Sequence, residues 1–212
     1  MNAEHKNLAE ALTLLDQHHQ SFYAAVDIAT RTGHPVPVDS RGWSQIIVSV
    51  LTGIHGLKRK KGADLADGSD VKAANTWQAI DTPRFNGVIK AGTQAATAGT
   101  MASLDAMPYL FFVLWDQNGA GQDRCRIWCV RPQTDKLFRA MCERWYAGCK
   151  SGDIISSNFQ LHPPRGRDDN IIRNSLGNLT YPLLFCATHD KSGYAVTTFA
   201  PELLKNGVCK AA

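Results

Sequence analysis

The chain has 212 residues, 44% hydrophobic and 20% charged, enough for one well-buried core and too few for two ordinary domains, so a single domain over 1–212 is expected. Its formal charge of +4 falls well short of a tail that coats nucleic acid without selectivity. Residues 1–15 carry acids and no unbroken apolar stretch, and no uncharged apolar run reaches membrane-spanning length, so a cytoplasmic protein with no signal peptide and no membrane partner is expected.

Residues 4–31 read as a helix, with Leu8, Leu12, Leu15, His19, Phe22 and Val26 recurring at three- and four-residue spacing. Glu4 and Glu10 lie early in it, and Gly33 with His34-Pro35-Val36-Pro37 ends it. This segment, 1–33, can form a dimer face or cover the core. His18 and His19 are adjacent and share no helix face, so they read as structural or surface residues. Asp39-Ser40 caps a second helix through Trp43, Ile46, Ile47, Val50 and Leu51 to Gly53, with Ser44 and Gln45 at its polar positions. The basic run Lys58, Arg59, Lys60, Lys61 follows, either a solvated turn or a set of phosphate contacts.

The stretch from Lys58 to Trp77 reads as a β-hairpin on which the rest of the chain is organised. With Asp67-Gly68 as a two-residue loop, Asp64 and Asp70 fall on opposite faces. With Ala66-Asp67-Gly68 as the loop and Gly68 at positive φ, Leu65 faces Ser69 and Asp64 lies opposite Asp70. The second register is preferred, because it gathers Asp64, Asp70 and Lys72 on one face. Carboxylates about 5 Å apart are either raised in pKa or held by a cation, and an all-oxygen donor set suits Mg²⁺. A lysine beside them can orient an attacking water or stabilise charge on a phosphate, which together is the equipment for phosphodiester hydrolysis.

Asp64 followed by Asp70-Val71-Lys72 resembles the PD-(D/E)xK nuclease signature, and its surroundings resemble a type II restriction endonuclease. Ala63 stands where that family usually has proline, and the spacer between the acids is short. The resemblance implies an α/β fold, a mixed β-sheet flanked by helices. It implies Mg²⁺ held by Asp64, Asp70 and the carbonyl of Val71, with Lys72 positioning the nucleophilic water. It also implies double-stranded DNA as substrate, 5′-phosphate and 3′-hydroxyl products, and a homodimer if the target is palindromic. In that family the helix before the catalytic strand can lend a further acid, and none is found here.

Further along, Asn75, Thr76, Gln78, Arg84 and Asn86 follow the hairpin closely and are candidates for DNA contact, as are Lys58, Lys60 and Lys61 before it. Residues 91–106 are small and polar, suited to a segment that orders on DNA. Residues 109–115 read as a buried central strand and 125–130 as its partner, and Pro132 with Thr134-Asp135 opens a helix through Leu137, Phe138, Met141 and Trp145 to Gly148. The spacing of the six cysteines is not that of a zinc finger, so packed free thiols are expected. Residues 156–182 form a second candidate DNA-recognition segment, a proline-stiffened loop bearing Gln160, His162, Arg165, Arg167, Asp168, Asn170, Arg173 and Asn174. Its alternative is a surface loop with internal salt bridges. Residues 183–187 read as the final strand and 201–204 as a short helical turn. Two other functions stay open: a structure-selective PD-(D/E)xK repair or junction nuclease, and a non-catalytic DNA-binding module on the same fold.

Overall fold

A computed structural model describes residues 3–32, 39–57, 62–76, 82–89, 101–156 and 158–205. The order of elements is α1 (Ala3–Thr32), α2 (Arg41–Thr52), β1 (Asp70–Asn75), α3 (Ala102–Asp105), β2 (Leu110–Gln117), β3 (Asp123–Val130), α4 (Lys136–Ser151), β4 (Ile171–Asn174), β5 (Gly177–Thr180), β6 (Leu183–Asp190), β7 (Gly193–Phe199) and a 3₁₀ turn at Pro201–Leu204. Five strands form one sheet in the order β1-β2-β3-β6-β7, and β4 and β5 form a separate two-stranded ribbon. Among the described residues only the β1–β2 pair is parallel, so the sheet is mixed, as expected.

The alternation of side chains along β2 and β3 divides the interior into two cores. Phe111, Val113, Trp115, Cys125, Ile127 and Cys129 face α1 and α2, where Ala11, Leu15, Phe22, Ile47, Val48 and Leu51 cover them. Leu110, Phe112, Leu114, Trp128 and Val130 face the other way, onto Phe138, Met141, Cys142 and Trp145 of α4 and onto Phe159, Leu161, Ile172 and Leu179. Both faces of β2 are apolar from Leu110 to Trp115, which is why that stretch runs without polar interruption, whereas β3 is apolar from Ile127 onward and carries Arg124 and Arg126 before it. Cys125, Cys142 and Cys186 are buried free thiols, Cys129 is buried, and Cys149 is half-buried.

Helix α1 covers the core, one of its two expected roles, since Leu15 and Phe22 lie in it. Ser40 precedes α2 as read from sequence, although the capping contact comes from Asp39, whose carboxylate accepts from the Arg41 amide at 2.9 Å. Gly53, at φ +73°, closes that helix. Asp135 caps α4 by accepting from the Phe138 amide. Two expectations require correction. The strand at 183–187 is not the last: β6 continues to Asp190 and turns through Lys191-Ser192 into β7, at the far edge of the sheet. The segment 62–66 is not the first arm of a hairpin; Leu65 makes a single bridge to Gly56, and β1 pairs with β2 instead. Of residues 91–106, the described part holds α3, and 91–100 lie outside the described residues.

Candidate active site

The turn that precedes β1 is set by local chemistry. The Gly68 amide donates to the Leu65 carbonyl at 3.1 Å and the Leu65 amide to the Ser69 carbonyl at 3.0 Å, so Leu65 faces Ser69 across Ala66-Asp67-Gly68. Gly68 has φ +96°, and a Cβ there would lie 3.0 Å from the Ala106 carbonyl oxygen. Glycine is thus required twice, by backbone conformation and by close approach. Asp67 braces the turn by accepting from the Ser69 amide and hydroxyl, both at 2.9 Å.

This turn delivers Asp64 to the start of β1. The Val71 amide donates to Asp64 Oδ2 at 3.1 Å and to Asp70 Oδ1 at 3.0 Å, so the two carboxylates share one donor. Lys72 Nζ lies 2.5 Å from Asp70 Oδ2. Burial, and then the hydrogen bond with Asp64, push the Asp70 carboxyl up to about 6 against the opposing pull of the Lys72 ammonium. The acid pair and the lysine expected from sequence are therefore gathered in one cluster, though by a turn and a strand rather than by two paired strands.

Because β1 is an edge strand, this cluster opens into a cleft of about 770 Å³. Arg41 and Gln45, one turn apart on α2, line one wall, and Asn86, Gly87 and Asn158 also line the space. Asn158 secures that region by accepting from the Gly87 amide at 2.8 Å and donating to the Asn86 side chain at 3.3 Å. Gln45 is thus a polar cleft residue, whereas Ser44 is buried and accepts from the Trp115 indole at 2.9 Å. Arg41 and Asn158 were absent from the sequence-derived set. For Arg41 the usable signal was its position four residues before Gln45 on the polar side of an amphipathic helix. A smaller cavity of about 360 Å³, walled by Val88, Ile89, Leu104 and Met107, adjoins the cluster at Asp70.

The remaining candidates divide by position. Asn86 borders the cleft; Asn75 donates to Ser40 Oγ at 3.4 Å, Thr76 continues β1 by donating to the Trp115 carbonyl, and Arg84 is half-buried just before Phe85. Lys58, Lys60, Lys61 and Gln78 lie outside the described residues. In the segment after 158, much of the polarity is turned inward. Asp168 pairs with Arg124 at 2.6 Å and Asp169 with Arg173 at 3.0 Å. Asn170 accepts from the Trp128 indole, and Asn174 donates to the Gln160 carbonyl. His162 and Arg173 pair through their backbones. Arg165 and Arg167 stand exposed.

A mixed sheet flanked by helices, with two acids and a lysine at an open edge strand, is a restriction-endonuclease-like arrangement. The model of the MamI restriction endonuclease family matches residues 27–196, and the chain belongs to that family. The type II restriction enzyme MamI of Microbacterium ammoniaphilum is 34% identical over 164 residues, covering 72% of this chain and 52% of that protein. The chain therefore spans about half the length of this curated relative. No solved structure matches it.

Proposed function

We propose that the chain is a Mg²⁺-dependent, sequence-specific endonuclease of the type II restriction class, cleaving double-stranded DNA to 5′-phosphate and 3′-hydroxyl ends. The observation that carries this reading is the meeting of Asp64, Asp70 and Lys72 around the Val71 amide at an open sheet edge. Family membership supports the same class.

The donor set fits a hard divalent cation. Among the described residues no group of three or more His, Cys, Asp or Glu is placed to hold a metal, so the protein would offer two carboxylates, Asp64 and Asp70, with the Val71 carbonyl. That suits Mg²⁺, which keeps several waters and takes phosphate oxygens as further partners. Bound there, it would supply Lewis acidity at the scissile phosphate and charge neutralisation at the leaving oxygen. Lys72 holds the attacking water against phosphorus and stabilises the charge that develops on the phosphate oxygens. The water oxygen bonds to phosphorus as the bond to the 3′-oxygen breaks, one proton passing to solvent and one reaching the leaving oxygen. Arg41 and Gln45 supply donors for the phosphate at the cleft wall. Lys58, Lys60 and Lys61 add phosphate contacts beside the cut, and a palindromic target calls for a two-fold dimer.

Digestion of a sequenced plasmid with and without Mg²⁺ tests the reading, with Asp70→Ala alongside. Discrete bands that need Mg²⁺ and vanish in the variant are expected. A wild type that binds DNA and never cuts it overturns the proposal.

A further inference from the structure

Strand β3 carries Arg124, Arg126 and Trp128 on one face, and two of these three would be expected in water. Instead Arg124 is 5% exposed and Arg126 is 1% exposed. Both are held on Asp116, itself fully buried on β2. Arg124 grips its carboxylate with two nitrogens, Nε at 2.7 Å and Nη2 at 3.0 Å, and Arg126 adds Nη2 at 2.8 Å. One buried carboxylate beneath two guanidiniums leaves a charge unbalanced, and Asp168 supplies the second anion at 2.6 Å from Arg124 Nη1. Several of the other donors of the pair go to loop backbone, while Arg126 Nε has no partner among the described residues. Arg124 Nη2 donates to the Arg167 carbonyl at 2.7 Å, and Arg126 donates to the Pro164 carbonyl at 2.8 Å and the Asp169 carbonyl at 3.2 Å.

We infer that Asp116, Arg124 and Arg126 are positioning residues for DNA recognition, a buried staple that fixes the loop 164–169 so that Arg165 and Arg167 meet the duplex in one arrangement. This inference rests on the nuclease reading. Three carbonyls and a carboxylate within six consecutive residues are tied to the sheet, while the side chains of Arg165 and Arg167, between the tied points, are exposed. The loop is also joined to the cleft by a short stretch of chain. Residues 158–162 run from Asn158 at the cleft, through the Phe85–Leu161 bridge, to its base. Asn158 and Arg165 are seven residues apart, at most about 25 Å of extended chain, which is about seven base-pair steps of ~3.4 Å. Arginines on a wandering loop would pay ordering entropy on every DNA; held by the staple, they favour the sequence whose acceptors match one geometry. A lysine cannot replace Arg124, because one ammonium cannot fork onto Asp116 and still reach Asp168 and a carbonyl.

The test is a double-mutant cycle in the full chain with Mg²⁺, using DNA that carries the mapped cleavage site and a control duplex lacking it. Arg124→Ala is expected to weaken specific-site binding about tenfold or more relative to control DNA, the scale of losing one base-pair readout, with the loss read in KM more than in kcat. Arg124→Lys is expected not to rescue it. In an Arg165→Ala/Arg167→Ala background the Arg124 substitution should cost little further, because the residues it positions are gone. Full additivity between Arg124 and the Arg165/Arg167 pair, or unchanged discrimination by Arg124→Ala, overturns the inference. Should Arg124→Ala unfold, Asp168→Asn, altered at an exposed carboxylate, carries the same cycle: about a threefold loss that disappears without Arg165 and Arg167 supports the staple, and no loss overturns it. A wild type that cuts no DNA would instead bring down the nuclease reading, which separates the two failures.

Discussion

Lys72 Nζ and Asp70 Oδ2 are 2.5 Å apart, and both belong to a six-residue strand, so their proximity is fixed by two-residue alternation alone. Replacing Lys72 by Ala should lower the cleavage rate by ~10²–10⁴, the usual range for a positioned proton-transfer or water-orienting group, with DNA binding retained in a gel-shift assay. A Lys72→Ala protein that turns over normally would remove the mechanism. Gly68→Ala forces a left-handed φ on alanine and presses its Cβ onto the Ala106 carbonyl. It should cost ~1–3 kcal/mol in urea unfolding and displace Asp64 from the Val71 amide. These residues were legible in the sequence because the turn that joins them is local. Arg124 and Arg126 were not: alternation with Cys125 and Ile127 marks them for solvent, and their cover arrives from residues 38 to 44 positions away.

At the scale of the element, α2 does two jobs with two faces. Ile47, Val48 and Leu51 seal one core, and Arg41 with Gln45 lines the cleft. Arg41→Ala should therefore weaken binding about equally across sequences and reduce the dependence of log affinity on log salt by about one, measured by fluorescence anisotropy between low and moderate salt. A large change in site preference would instead make Arg41 a base reader. The long helices and β2, β3 and α4 were readable because apolar period and caps agree with one another. The pairing partner of β1 was not, since a parallel neighbour 40 residues on leaves no trace in the turn between 65 and 69. Strand β7 escaped because only Tyr194 along it is buried, and because Lys191-Ser192 is an unremarkable turn whose Gly193 already belongs to the strand.

Across the whole molecule, the contact of α1 with the sheet is sensitive to acid. His18 is 4% exposed and stacks on Trp115 with ring centroids 4.4 Å apart. Burial, and then the neighbouring His19, hold its imidazole down at about 4, against an ordinary 6.5. A folded value below the unfolded one means that the unfolded chain binds more protons between pH 4 and 6.5. Stability therefore falls on acidification through that window, by ~3 kcal/mol once complete. Urea unfolding at pH 7 and pH 4.5 should show a larger loss in the wild type than in His18→Gln; equal losses would place the acid sensitivity elsewhere. The edge position of β1 bears on a different property. An unpaired strand edge invites a strand from another molecule, and here the Val71 amide on that edge is occupied by Asp64 and Asp70. The same carboxylates repel an incoming backbone carbonyl. An inactive Asp64→Ala/Asp70→Ala protein, made to trap DNA without cutting it, would bare this amide and should self-associate on storage at concentrations where the wild type stays dispersed, as light scattering would record.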